Sequence, residues 1–178
     1  MGGAGELCDG RRRGALQRWV AMIVGLALAG PAAAVVTTFS TGSLIIPMDT
    51  GTSGQNNGML NAYGLVYQLL RNGVPVAWVI NPAKPANGDD FSVSISAALQ
   101  DVRTGATLAP RSYRGGPFLV ASADAAAALP IVQAFQAVAG DQTAVHRLVS
   151  VSSINVDVAR FLVAAPRLAV VKDGNEMI

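Results

Sequence analysis

The chain has 178 residues, with 13 Lys and Arg against 11 Asp and Glu, one histidine and one cysteine. Half of it is hydrophobic and only 13% is charged, which excludes a disordered chain and favours a buried core. One imidazole and one thiol exclude a multi-histidine metal site and a zinc-thiolate cluster.

The first 34 residues have the three zones of an export signal. Arg11, Arg12, Arg13 and Arg18 make a basic start. Trp19 to Gly30 carries no charge, and Pro31-Ala32-Ala33-Ala34 supplies a helix breaker and small residues for cleavage after Ala34. The competing reading is an uncleaved anchor, but Pro31 and many Ala and Gly residues interrupt the apolar run. Arg12-Arg13 matches a twin-arginine signal only loosely, so the export route stays open. The expected domains are a signal peptide, 1–34, and one α/β domain, 35–178. The destination is extracellular or periplasmic, and the membrane is met only during export.

Removing the signal changes the bulk properties. Residues 35–178 hold nine basic and nine acidic residues, so the net charge falls to zero. No Lys/Arg cluster remains for nucleic acid; Arg111 and Arg114 are only a pair. Cys8 departs with the signal, taking with it any disulfide or cysteine nucleophile.

Ser43–Met48 reads as a strand and Thr50–Gly58 as a loop rich in Gly, Ser and Asn. Met59–Asn72 reads as a helix with Leu60, Tyr63, Val66, Tyr67 and Leu70 at helical spacing, and Gly73 in the C′ position. Val76–Ile80 is the next strand. Strand, helix, strand implies a βαβ unit with parallel pairing. Phe91–Ile95 reads as a short strand, Asp101–Tyr113 as an irregular excursion or hairpin, and Pro117–Ala121 as a strand. An Ala-rich helix follows, capped by Ser122 or Asp124 and kinked at Pro130. Val145–Val151 reads as a strand, Ile154–Val163 as a helix, and Arg167–Val171 as a final strand. The expected fold is a three-layer α/β sandwich with a mainly parallel sheet, flavodoxin-like or Rossmann-like. A covering helix should follow the last strand, so either the natural protein continues past Ile178 or the sheet ends there with one face partly bare.

The chemistry-bearing residues are few. Asp49-Thr50-Gly51-Thr52-Ser53 resembles the active-site signature of aspartic proteases, in which two aspartates share a proton. No second such triplet occurs, and a helix follows where that family is nearly all β. The loop with Thr52, Ser53 and Gly54 is similar to the phosphate-binding loop of flavodoxins, although such glycines equally make a turn. Gly115-Gly116 allow either close approach to a ligand or a tight turn. Ser122 lacks the flanks of a nucleophile elbow and reads as a helix cap. His146 is a candidate general base or a structural histidine. Asp49, Asp89, Asp90, Ser122 and Asp173 follow predicted strands, the edge where parallel α/β folds bind ligands.

The run Ala62-Tyr63-Gly64-Leu65-Val66-Tyr67-Gln68-Leu69-Leu70, with Gly73-Val74-Pro75-Val76, resembles the first half of a class I glutamine amidotransferase-like domain. Ser43–Asp49 and Tyr113–Phe118 complete a pattern similar to that of exported bacterial proteins whose activity is not established. The resemblance covers most of residues 43–173 and implies the flavodoxin-like fold. It carries no functional residue across, because the family's cysteine has no counterpart after the signal.

The leading expectation is therefore a non-catalytic exported module that binds a small molecule or an envelope component, without metal or cofactor. The alternatives are an exported hydrolase using Asp49 with Ser122 or His146, and a binder of flavin or a phosphate ligand through the 50–58 loop.

Overall fold

A computed structural model describes residues 34–55, 59–138, 142–151 and 153–167. The expected signal peptide lies outside the described residues, apart from Ala34. So does the expected final strand, apart from Arg167.

Ten strands and two helices follow in order among the described residues: β1 (Val35–Ser40), β2 (Leu44–Ile46), α1 (Met59–Arg71), β3 (Val76–Val79), β4 (Phe91–Val93), β5 (Leu99–Asp101), β6 (Thr107–Leu108), β7 (Arg111–Tyr113), β8 (Phe118–Val120), α2 (Ala125–Gln136), β9 (His146–Leu148) and β10 (Ser153–Leu162). Eight strands make one sheet in the order β1-β10-β3-β8-β2-β9-β5-β6, and β4 pairs with β7 in a second, small sheet. Every pairing is antiparallel.

This overturns the parallel, flavodoxin-like expectation and the fold that the amidotransferase resemblance implied. The physical reason lies in the crossover. β2, α1 and β3 do occur in sequence, and β2 and β3 run in the same direction because both are antiparallel to β8. β8 sits between them, pairing Ile46 with Phe118 on one side and Trp78 with Phe118 on the other. The crossover skips a strand, and the antiparallel β8 fills the gap.

The second correction is at the C-terminal end. Ser153–Leu162 is a ten-residue strand, β10, where a helix was expected. Ile154, Val156 and Val158 alternate onto one face, as strand geometry requires. A bulge between Val158 and Arg160 then shifts the phase, so that Leu162 packs on the opposite face. The result puts 154, 158, 161 and 162 at helical spacing without a helix.

The central strands are buried on both faces. Leu44, Ile46, Phe118, Val120 and Val76 point toward the layer formed by α1 and α2. Ile45, Leu119, Ala77, Val79 and Leu148 point the other way, where Val93 and Tyr113 of the small sheet cover them. The two helices among the described residues thus lie on one face.

The helix α1 forms as expected, but its buried stripe is Ala62, Leu65, Val66, Leu69 and Leu70. Leu60 is 83% exposed, and Tyr63 and Tyr67 are partly exposed, Tyr63 resting edge-on against Phe118. The helix has turned by about one residue, 100°, from the expected face. Burying four branched aliphatic side chains leaves both phenol hydroxyls in reach of water. The end of α1 is a Schellman motif: Gly73 takes φ +76° and donates to the Leu70 carbonyl, and Val74 donates to that of Leu69. In α2, one helix spans Pro130, and Asp124 stands at the N-cap without a side-chain cap bond. Ser122 is exposed; its carbonyl, not its hydroxyl, accepts from Ala125.

Candidate ligand site at the loop after strand β2

Strand β2 delivers the chain to Asp49 at one end of the sheet. From there, residues 49–55 curl back on themselves. The Gln55 N–H donates to the Asp49 carbonyl, the Gly54 N–H to the Gly51 carbonyl, and the Gly51 N–H to Asp49 Oδ1 at 3.3 Å. Gly54 is fixed by space: an added Cβ would lie 2.4 Å from the Asp49 carbonyl oxygen. Ser53 takes a positive φ of 58°, a conformation that non-glycine residues adopt rarely. Gln55, 1% exposed, locks the loop base, donating to the Pro47 and Ala144 carbonyls and accepting from the Ala144 N–H.

Arg111 comes in from β7. Its Nη2 lies 2.5 Å from Asp49 Oδ1, and its Nη1 donates to the Thr52 carbonyl at 3.0 Å. Both charged side chains are close to buried, at 12% and 9% exposure. The guanidinium lies 4.7 Å above the Tyr113 ring, a cation–π contact that fixes it from below. Tyr113 is itself stacked on Phe91. Its hydroxyl is 2.9 Å from His146 Nδ1. Burial pushes the phenol pKa up, with Arg111 opposing, so the phenol stays protonated. His146 is fully buried, and its pKa falls to about 4, chiefly through desolvation and secondly through Arg111. Asp101, the Ser53 main chain and Asp49 act weakly the other way. His146 is therefore neutral at neutral pH.

A line of contacts thus runs from the surface inward: Asp49, Arg111, Tyr113, His146. Among the described residues, Asp49 Oδ2 has no hydrogen-bond partner.

Clefts open on both sides of the loop. One, of about 440 Å³, is lined by Asp49, Thr50, Gly51, Thr52, Arg111, Ser112 and Arg114. The other, of about 410 Å³, includes Ser53, Gly54, Asp101, Arg103 and Thr104 in its wall. Arg114 is more than half exposed and only loosely paired, 3.6 Å from Asp89. No three acidic, histidine or cysteine side chains gather as a metal site among the described residues.

The expected site residues divide. Asp49 and His146 lie on one line of contacts, with Arg111 and Tyr113 between them. Ser122 is at the other end of the sheet, beside Gly42. The reason is strand direction: β8 runs opposite to β2, so its end falls at the start of β2. Strand ends that would share one edge of a parallel sheet are split between two. Thr52, Ser53 and Gly54 all line clefts, but three N–H groups of this loop are already bonded within it. Gly115 and Gly116 form a turn at φ +79° and +74°, where added Cβ atoms would meet the Met48 carbonyl oxygen and Trp78 Nε1 at 2.8 and 2.6 Å. Their role is close packing. The Gly116 N–H also donates to Asp90, which Lys84 and the Asn81 N–H complete as a clamp on the 81–90 loop.

The chain matches no protein-family model, no curated protein and no solved structure.

Sequence reasoning missed Arg111 as the partner of Asp49. The available signal was its alternation with Tyr113 across Ser112 in a short strand, which puts both side chains on one face.

Proposed function

We propose that the protein is an exported binding module that holds a small anionic molecule, a carboxylate or a phosphate ester, in the cleft between the 49–55 loop and β7. The observation that carries this reading is the charge arrangement in that cleft. Arg111 is neutralised and held rigid by Asp49, while Arg114 extends beside it, with Thr50, Thr52 and Ser112 supplying further polar groups. A fixed wall and one less committed cation suit an anion better than a neutral ligand. Export rests on the three zones of residues 1–34, and the mature chain would begin at Val35.

The non-catalytic part of the reading has its support in how the candidate groups are occupied. Asp49 is tied to Arg111 and His146 to Tyr113, and Ser122 stands apart from both.

The test is a melting-midpoint screen of the purified protein with succinate, inorganic phosphate and uncharged glucose. Succinate or phosphate should raise the midpoint through binding to the folded state, and glucose should not. Arg114→Gln should abolish the rise while leaving the unliganded midpoint unchanged. A flat response to both anions, or a rise that survives Arg114→Gln, would contradict the proposal.

A further inference from the structure

We infer that the protein pairs with a second copy of itself through strand β1, making one continuous sheet across a two-fold axis. Among the described residues, β1 is an edge of the eight-stranded sheet and pairs only with β10. An open edge presents a row of unpaired N–H and C=O groups, and monomeric proteins protect such edges with charges, proline, bulges or shortness. β1 has none of these. Its six residues are Val35-Val36-Thr37-Thr38-Phe39-Ser40, and its register with β10 is unbroken over all six. Val35 and Val36 are 61% and 68% exposed.

The occupant follows from comparing the two ends of the sheet. The far edge is β6, which is only two residues long, Thr107–Leu108. Pairing β1 of one copy with β6 of the next would satisfy little of β1 and would propagate as an open chain. Pairing β1 with β1, centred on Thr37 or Thr38, uses most of the strand on both sides and closes at two copies. A two-fold axis through the sheet makes that pairing antiparallel, as every other pair in this fold is. The strand suits its own partner chemically as well. It is uncharged, so no like charges face each other, and its β-branched valines and threonines give favourable cross-strand pairs.

The test is the solution mass of the protein, with its N-terminus read by mass spectrometry, measured by light scattering across a dilution series. The native chain should be dimeric and should dissociate on dilution. Val36→Lys, at an exposed position, should weaken dimerisation at least tenfold, because ammonium groups then gather near the axis, while the melting midpoint measured at a dilution where both proteins are monomeric stays the same. Val163→Lys, at an exposed position outside the strand, should leave the mass unchanged. Amide exchange gives a second readout: protection of β1 amides should rise with protein concentration. A native chain monomeric at its solubility limit, or a dimer that Val36→Lys leaves intact, would overturn the inference.

Discussion

Replacing His146 with glutamine should remove a defined part of the protein's pH dependence. In the fold, the imidazole is buried and its pKa is lowered from 6.5 to about 4. In the unfolded chain it returns to the ordinary value. Between these two values the unfolded state binds more protons than the folded state, so stability rises with pH through the window. The contribution is complete above pH 6.5. It declines as pH falls and levels off below pH 4. A shift of this size corresponds to about 3 kcal/mol, at 1.36 kcal/mol per unit. His146→Gln keeps a hydrogen-bonding partner for the Tyr113 hydroxyl and cannot titrate. Urea unfolding at a series of pH values measures the effect, and the difference between native and variant isolates it from the carboxylates. The native protein should lose about 3 kcal/mol more than the variant between pH 6.5 and pH 4. Equal slopes for the two would refute the buried, neutral histidine.

Arg111→Gln should cost about 2–4 kcal/mol in chemical denaturation, because it leaves the nearly buried Asp49 carboxylate without its cation. Two glycine substitutions should separate backbone strain from crowding. Gly73→Ala meets no atom within 4 Å but sits at φ +76°, and should cost about 1 kcal/mol. Gly116→Ala adds a Cβ 2.6 Å from Trp78 Nε1 to a similar backbone strain, and should cost about 3 kcal/mol or more.

Local features were legible in the sequence. Gly73 marked the end of α1 because a left-handed residue there is a one-position requirement. The strands at Leu44–Ile46, Val76–Val79 and Phe118–Val120 stood out as short apolar runs between turn residues. What the sequence could not carry was neighbourhood. A strand-helix-strand order implies direction, and β2 and β3 do share one, but it does not exclude a third strand between them. β10 was misread because its bulge mixes two phases of a period-two pattern, so Ile154, Val158, Phe161 and Leu162 mimic a helical stripe. Its β-branched Ile154, Val156 and Val158 were the better guide. For the site, Asp49 was visible in its loop motif. Its partner Arg111 is 62 residues away and became visible only once β7 was folded beneath that loop. The separation of Ser122 from Asp49 follows from the antiparallel sheet, so the error in topology and the error in the site have one cause.

The fold is defined by β8 lying antiparallel between β2 and β3, and by β10 being a strand. Nuclear Overhauser contacts between backbone protons test both together. The structure predicts cross-strand contacts between Ile45 and Leu119, Leu119 and Ala77, and Thr37 and Val156. Direct parallel contacts between β2 and β3, or a ladder of helical i to i+3 contacts along residues 154–163, would contradict it.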